Sequence, residues 1–217
     1  MGSTSSSRKR IAVVGAGALG CSILPRLARM PIGELVVIDG DRVEHHNLER
    51  QPLFTAADIG RSKTATARTW VRSAEPAIAV RAMDRFLDAS NAHELLALAD
   101  IVADCTDDLH AKALIDEVCG ALRIPLVSGA VHEQEGQVIV LHAPGASTEL
   151  CRNDLFNGRI GAEQDGCDMQ RVPLAVIEAV GERMADLIGY LLTGSPVVNG
   201  RIELLHQGAW TSMEIAQ

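Results

Sequence analysis

Short apolar runs alternate with longer stretches of helical periodicity through the first 130 residues of the chain. We predict strands over 11–14, 35–38, 78–83, 100–104 and 125–128, helices over 63–72, 89–97 and 110–122, and a further helix directly after the first strand. Strands that alternate with helices along a chain form a parallel sheet with helices packed on its faces. The pattern therefore predicts an α/β fold with a Rossmann-like, mostly parallel sheet.

The periodicity changes after about residue 130. Residues 136–142 and 201–207 alternate between apolar and polar positions, and 210–215 can pair with the second run as a hairpin. Between these runs lie a polar segment at 143–171 and a long apolar helix at 173–192 that opens with proline. We expect the sheet to continue into antiparallel C-terminal strands that present one face to a partner.

Composition excludes several classes of function. The 217-residue chain has a net charge of −8 and no basic stripe, so nucleic acid is not an expected partner. No run of about 18 apolar residues argues for a membrane span. The opening MGSTSSS has no apolar core, so we expect a flexible leader or tag rather than a secretory signal. Five irregularly spaced cysteines do not suggest a disulfide framework, and we expect a cytoplasmic location.

A glycine-rich turn follows the first strand. Gly15, Gly17 and Gly20 form a G-x-G-x-x-G pattern, which allows a tight turn, lets backbone N–H groups approach a phosphate and brings the helix close to the strand. Asp39 ends the second strand about twenty residues after the last glycine, where a carboxylate reaches the hydroxyls of a ribose. These residues fit NAD and ATP equally well.

Polar residues beyond Asp39 favour a nucleoside triphosphate. Asn47, Arg50 and Lys63 supply an amide and two fixed cations, which a nicotinamide cofactor does not need. Attack on the α-phosphorus of ATP brings an anion toward a polyanion, so positive charge at the phosphates lowers the barrier. We predict this role for Arg50 and Lys63. His46, beside Asn47, either approaches a phosphate or lies on the loop surface.

Carboxylates gather at the end of the fourth predicted strand. Asp104, Asp107 and Asp108 lie at the edge where ligands bind an open parallel sheet. Mg²⁺ takes one or two carboxylates together with phosphate oxygens and water. We therefore predict Asp107 as a Mg²⁺ ligand.

Four motifs occur in order: GAGALG, the pattern D-x-D-x-V-x-x-x-N-L-x-R-Q over 39–51, the G-x-x-K of 60–63, and DCTDD over 104–108. In this combination, from about residue 10 to the C-terminus, the chain resembles the ThiF/MoeB/HesA adenylyltransferases, the bacterial relatives of the ubiquitin-activating enzymes. The resemblance implies that Asp39 holds the ATP ribose and Asp107 the Mg²⁺, while the phosphates contact Asn47, Arg50 and Lys63. Our predicted nucleotide contacts also include Asp41, His46 and Asp108.

The resemblance also implies a reaction and partners. Members adenylate the C-terminal glycine carboxylate of a small ubiquitin-like protein, usually a sulfur carrier ending in Gly-Gly, and we expect a homodimer. Residues 10–217 then form one adenylation domain after a leader at 1–9. We expect its nucleotide-binding half at about 10–130 and its carrier-binding half at about 131–217, with a crossover loop at about 143–171 over the site.

Two features depart from the family pattern. Many relatives begin with a helix whose arginine reaches the ATP of the neighbouring subunit, whereas this chain enters its first strand at once, leaving Arg8 or Arg10 as substitutes. Asp108 stands where the family usually has asparagine, which places a second negative charge beside Asp107.

The cysteines raise two further questions. Relatives often hold zinc with two C-x-x-C pairs, but here Asp154 follows Cys151 at that spacing and no cysteine lies beyond Cys167, so we predict no zinc. In several sulfur-carrier enzymes a cysteine at the position of Cys167 links covalently to the carrier. Cys167 is therefore a candidate sulfur relay, and an incidental thiol is the alternative.

Other function classes remain open from the sequence. A nicotinamide oxidoreductase would share the glycine turn and Asp39. A catalytically silent partner subunit would explain the missing N-terminal arginine helix. Some relatives adenylate a peptide or a modified RNA base.

Overall fold

Parallel strands and their crossover helices fill the first part of the molecule. The computed structural model describes residues 9–145, 150–156 and 171–213. Its strands are β1 (Arg10–Val14), β2 (Glu34–Ile38), β3 (Ala79–Met83), β4 (Ile101–Asp104), β5 (Leu126–His132), β6 (Glu135–Leu141), β7 (Ile202–His206) and β8 (Ala209–Met213). Its α-helices are α1 (Ala18–Leu27), α2 (Lys63–Ala74), α3 (Ala92–Leu96), α4 (Leu109–Leu122), α5 (Arg152–Leu155) and α6 (Leu174–Thr193).

Within the described ranges the strands form one sheet in the order β3-β2-β1-β4-β5-β6-β7-β8. The pairs from β3 to β5 are parallel, and those from β5 to β8 are antiparallel. This confirms the predicted mostly parallel sheet that continues into antiparallel C-terminal strands. Two single 3₁₀ turns, His45–Asn47 and Ala56–Asp58, lie in the long connection between β2 and α2.

Alternate residues of the central strands enter two different cores. Ile11 and Val13 of β1 pack with residues of α1, α2 and α6 on one face of the sheet. Ala12 and Val14 pack with residues of α3 and α4 on the other face. A strand buried on both faces is apolar throughout rather than alternating, which is why this run was recognisable in the sequence.

Some predicted boundaries were wrong. We predicted a strand that ends at Ser128, but β5 continues to His132 and meets β6 through a tight hairpin in which Glu133 has a φ of +48°. Cross-strand pairing with β6 holds residues 129–132 in extended backbone, and that pairing has no local sequence signal. Helix α3 is shorter than the predicted 89–97, because Asp88 and Asn91 form a side-chain-bonded turn before it.

None of the helices in the described part of the chain combines the length and the apolar character that a membrane crossing requires.

Candidate functional site

A cavity of about 450 Å³ opens at the carboxyl ends of β1, β2 and β4. The chain runs outward from β1 to β2 and β3 on one side and continues with β4 and β5 on the other, so the topological switch point lies between β1 and β4. Ligands of open α/β sheets bind at such a crevice. The predicted residues that line it are Gly15, Gly17, Asp39, Asp41, His46, Asn47, Arg50, Lys63, Asp107 and Asp108.

The glycine turn lets the backbone approach the cavity closely. Gly15 has a φ of +92°, and a Cβ atom there would lie 2.9 Å from the carbonyl oxygen of Cys105. Gly17 precedes α1 and has no neighbour within 4 Å of a built Cβ atom, so its backbone faces open space. A Cβ atom on Gly20 would lie 2.1 Å from the oxygen of Gly15. Gly20 does not line the cavity and instead permits close packing of α1 on the turn.

Asp39 lies directly after β2 and is held by backbone donors. Its Oδ2 accepts a hydrogen bond from the Ala16 N–H at 2.6 Å, and its Oδ1 accepts one from the Asp41 N–H at 2.7 Å. Burial raises the pKa of Asp39 above its ordinary value, although both N–H groups and the Lys63 ammonium act in the opposite direction. The carboxylate is therefore fixed in orientation but incompletely compensated, and a ligand hydroxyl would provide a further donor.

The 3₁₀ turn at 45–47 brings Asn47 to the cavity. Its Oδ1 accepts a hydrogen bond from the Glu44 N–H at 3.1 Å, which fixes the side chain and leaves its amide N–H₂ to donate to a ligand. His46 also lines the cavity, but its ring is largely exposed and its Nδ1 lies 3.3 Å from a Glu44 carboxylate oxygen. His46 therefore sits at the rim.

The two predicted cations reach the same cavity from different elements. Arg50 is half-buried, and its Nε donates to the carbonyl of Val172 at 3.3 Å. Lys63 is the first residue of α2, is 6% exposed, and its Nζ donates to Asp41 Oδ2 at 2.8 Å. A lysine at a helix N-terminus opposes the helix dipole, so the helix does not stabilise this position. The position of Lys63 therefore suits the binding of a polyanion more than it stabilises α2.

The loop from β4 to α4 gives the neighbouring residues Asp107 and Asp108 different surroundings. Asp108 is the N-cap of α4, and its Oδ1 accepts a hydrogen bond from the Ala111 N–H at 2.6 Å. Asp107 lines the cavity, and within the described residues it has no hydrogen-bonding partner or ion pair. Of the two, Asp107 is the carboxylate that remains open to a cation.

A buried network beneath this loop was not predicted. Lys112 of α4 is 3% exposed, and its Nζ donates to Asp104 Oδ2 at 2.9 Å and to the carbonyl of Gly129 at 2.7 Å. Asp104 also accepts hydrogen bonds from the hydroxyls of Ser128 and Thr106. A lysine in an amphipathic helix normally reaches solvent, so the sequence contained no sign of this pair.

Three more residues at the cavity were missed. Gln51 belongs to the motif over 39–51 but was given no role; it is 7% exposed, and its Oε1 has no hydrogen-bonding partner among the residues that the structure describes. Phe86 and Leu87 line the cavity from the segment after β3. An apolar pair inside a polar segment was the only signal that could have indicated them.

The cysteines fall into three groups. Cys21, Cys105 and Cys119 are buried, and burial raises the pKa of each thiol, so they are not reactive. The Cys151 thiol donates to Asp154 Oδ2 at 3.1 Å at the start of α5. Cys167, the candidate sulfur relay, lies outside the described residues, as does Arg8. Over the described ranges no three His, Cys, Asp or Glu side chains converge as a metal site.

Comparison with known sequences identifies relatives. The profile described as the ThiF family matches residues 2–215. The chain is 40% identical to the SAMP-activating enzyme E1 of Haloferax volcanii over 136 residues, which is 63% of this chain and 50% of that protein. It is 36% identical to the sulfur carrier protein adenylyltransferase of Thermus thermophilus, covering 69% and 56%. For the molybdopterin-synthase adenylyltransferase of Escherichia coli, the identity is 36%, covering 68% and 59%. The chain thus spans about half the length of these relatives.

Comparison with solved structures agrees on the fold. The crystal structure of E. coli MccB with ATP has a TM-score of 0.78 at 18% identity, covering 96% of this chain and 64% of that one. The crystal structure of PaaA has a TM-score of 0.78 at 21% identity, covering 96% and 64%. At these identities the likeness concerns the architecture alone.

Proposed function

The chain belongs to the ThiF family, and we propose that it is an ATP-dependent adenylyltransferase that activates the C-terminal glycine carboxylate of a small ubiquitin-like sulfur-carrier protein. The observation that carries the proposal is the convergence of a glycine turn, two cations and an unpartnered carboxylate on one cavity. The names of the sequence relatives, which include sulfur carrier protein and molybdopterin-synthase adenylyltransferases, support the same reaction.

We assign each group of lining residues to one part of the nucleotide. The glycine turn presents backbone N–H groups to the α-phosphate. Asp39 accepts hydrogen bonds from the ribose hydroxyls. The amide of Asn47 and the charges of Arg50 and Lys63 hold the outer phosphates, for which Lys63 exchanges its bond to Asp41. These assignments follow from which groups line the cavity and from their hydrogen-bonding capacity.

The reaction needs no side-chain nucleophile. An oxygen of the carrier carboxylate forms a bond to the α-phosphorus, the bond from that phosphorus to the bridging oxygen breaks, and pyrophosphate leaves with the electron pair. The chain's contribution is alignment of the reactants and neutralisation of the charge that develops on the leaving group. We assign the second task to Arg50 and Lys63.

Asp107 fits a Mg²⁺ ion because it presents an unpartnered carboxylate to the cavity that would hold the phosphates. Mg²⁺ prefers one or two such oxygens and completes its shell with phosphate oxygens and water. When bound, the ion would supply charge stabilisation at the phosphates. Asp108 is committed to the cap of α4 and contributes at most a longer-range negative potential.

We assign the carrier to the antiparallel half of the sheet. The edge strand β8 is exposed along its length, and Trp210 and Met213 present large apolar side chains there. An exposed apolar group at an open strand edge is a feature of surfaces that bind partners. We further propose a cytoplasmic homodimer and a sulfur-relay role for Cys167, both as the family resemblance implies.

Two measurements test the function. Candidate carriers that end in Gly-Gly are incubated with the protein and Mg-ATP, and mass spectrometry should detect the gain of one AMP at the terminal glycine. ATP–pyrophosphate exchange should depend on the carrier and disappear when its final glycine is removed. Exchange without any carrier, or no adduct on any carrier, would contradict the proposal.

A silent partner subunit is the second candidate, and the contacts of Arg10 favour it, because they hold within its own chain an arginine that could otherwise serve a neighbouring subunit. Arg10 lies at the amino end of β1, away from the cavity, where it pairs with Glu34 and donates to the carbonyl of Leu98 at 2.6 Å. These contacts hold the guanidinium of Arg10 within its own chain, so the residue is not placed to reach a nucleotide of a neighbouring subunit. If exchange appears only after a second homologous subunit is added, this candidate replaces the first.

A nicotinamide oxidoreductase is tested in the same preparation. Binding of NADH in preference to Mg-ATP would favour it, although NADH lacks the third phosphate whose charge Arg50 and Lys63 would help to neutralise.

A further inference from the structure

Phe86 is the most exposed large apolar side chain at the cavity. The chain has three phenylalanines, and the ring of Phe86 is 63% exposed while it lines the cavity at its rim. A ring that is mostly exposed gains little from burial in the fold, so its contribution to stability is small. A ring in this state is available to a ligand.

The backbone beneath Phe86 is nevertheless firmly held. The Asn91 side-chain N–H₂ donates to the carbonyl of Phe86 at 3.0 Å, and Asn91 Oδ1 accepts from the Asp88 N–H at 3.1 Å. Asp88 Oδ1 in turn accepts from the N–H and the hydroxyl of Ser90. The ring is thus presented from an ordered turn, which reduces the conformational entropy that a ligand contact would cost.

Gly40 provides the surface on which the ring lies. A Cβ atom at Gly40 would lie 2.6 Å from Cδ2 of Phe86 and 2.8 Å from its Cε2. Gly40 follows Asp39, the proposed ribose ligand, so the ring stands one residue from the sugar position. Leu87 lines the cavity beside Phe86, and Ile38 at the end of β2 is buried in the core.

The phosphates are assigned to a different part of the cavity from the one that Phe86 lines. The glycine turn, Arg50 and Lys63 account for the phosphates, and Asp39 accounts for the ribose. What remains of the nucleotide is its flat aromatic base, whose faces are apolar, and the apolar side chains that line the cavity after β3 are those of Phe86 and Leu87.

We propose that the ring of Phe86 stacks on the face of the nucleotide base and so contributes to nucleotide affinity; this inference rests on the proposed use of ATP. Aromatic stacking tolerates every base because each has a π face. The contact therefore strengthens binding without distinguishing ATP from GTP. Phe86 touches the substrate but takes no part in the bond-breaking step.

The test is calorimetric titration of the full chain with Mg-ATP, Mg-GTP and Mg-tripolyphosphate. Phe86→Ala should weaken Mg-ATP and Mg-GTP binding by about tenfold, within the range typical of one aromatic stacking contact. Binding of tripolyphosphate, which has no base, should not change. Phe86→Leu should lose most of the same affinity and Phe86→Trp should keep it, because the effect requires a ring rather than apolar bulk.

Tyr190→Ala is the matched control, since Tyr190 is an exposed aromatic residue on α6 that does not line the cavity. It should leave all three titrations unchanged. Thermal unfolding of each variant checks that the fold is intact, which the exposure of Phe86 leads us to expect.

Gly40→Ala gives an independent test. Its methyl group should displace the ring of Phe86 and weaken Mg-ATP binding, whereas in the Phe86→Ala background the same change should have little further effect. Equal losses in both backgrounds would mean that the methyl group meets the nucleotide itself and would count against the stacking contact.

The outcomes distinguish a failure of the stacking proposal from a failure of the proposed function on which it rests. If the unmodified protein binds Mg-ATP and Phe86→Ala binds it equally well, the stacking proposal is wrong and the proposed function stands. If the unmodified protein binds Mg-tripolyphosphate as tightly as Mg-ATP, the stacking proposal and the proposed use of ATP are both wrong.

Discussion

Asp39 and Asp104 lie at the carboxyl ends of the two strands that flank β1, yet their surroundings differ. Asp39 follows β2 and receives hydrogen bonds from two backbone N–H groups. Asp104 ends β4, is 0% exposed, and receives a lysine ammonium and two hydroxyls. The first carboxylate faces a cavity, and the second is enclosed.

Their pKa values shift in opposite directions. Burial raises the pKa of Asp39, because the groups around it do not fully compensate its charge. Burial would also raise the pKa of Asp104, but the Lys112 ammonium and the bonds from Ser128 and Thr106 outweigh this effect and lower it. The charge of Asp104 is thus compensated within the protein, whereas the charge of Asp39 is compensated only in part.

The largest expected effect concerns the enclosed side. Lys112→Met should lower the free energy of unfolding by about 3–5 kcal/mol, because it leaves the Asp104 carboxylate buried and unpaired. Urea-induced unfolding measures this. Lys63→Met is the contrasting change on the cavity side, and since its partner Asp41 is half-exposed the loss should stay below about 1 kcal/mol.

Adding Asp104→Asn to Lys112→Met should recover part of the stability, since the charge that needed a partner is removed. A double variant as unstable as Lys112→Met alone would mean that packing, rather than charge, sets the value of this pair.

On the cavity side, the largest expected effect is on rate. Arg50→Ala should slow carrier-dependent ATP–pyrophosphate exchange by about 10²–10³-fold, as expected for the loss of one preorganised electrostatic contact. Stability should fall by only about 1 kcal/mol, through the bond to the Val172 carbonyl. Arg61→Ala removes an exposed cation outside the cavity and should leave exchange unaffected; a similar slowing there would indicate general electrostatics.

Asp107 and Asp108 allow a sharper comparison within one loop. Asp107→Asn should raise the Mg²⁺ concentration for half-maximal exchange by at least about tenfold, which is the loss that even an outer-shell partner of a metal commonly causes. Asp108→Asn should preserve both the Mg²⁺ requirement and the stability, because asparagine caps a helix as well as aspartate. If the two variants behave alike, the assignment of the metal to Asp107 is not supported.

The smallest effects are expected in the pH dependence of stability. The raised pKa of Asp39 means that its ionised form is penalised in the folded state, so the stability of Asp39→Asn relative to the unmodified protein should increase as pH rises above about 3.8. The lowered pKa of Asp104 contributes stability that is present above about 3.8 and lost at lower pH, so the deficit of Asp104→Asn should shrink on acidification. Unfolding measured from pH 3 to 7 gives, for each variant, the slope against pH of its stability relative to the unmodified protein. The slope should be positive for Asp39→Asn and negative for Asp104→Asn, and slopes of the same sign would refute the comparison.

Much of the site was predictable because its motifs are local. The glycine turn, Asp39 and the pair Arg50 and Lys63 follow elements whose periodicity or turn chemistry is visible within a few residues. The roles of Asp108 and Lys112 were not predicted. Asp108 lies three residues before the Ala111 N–H that it caps, which is the spacing of a helix N-cap. With Asp107 beside it, the sequence does not show which of the two aspartates is the cap. Lys112 is buried only because β5 brings Ser128 and Gly129 beside the end of β4.

By itself the sequence determined the class of fold, the order of its elements and most of the polar residues and glycines that line one cavity, because apolar periodicity and glycine turns act over short distances. Only the tertiary structure decided which carboxylate is neutralised within the protein and which faces the cavity, and that Phe86 stands at its rim. Those outcomes depend on which strands become neighbours and on how much water each side chain loses, and neither quantity is encoded in any short segment of the chain.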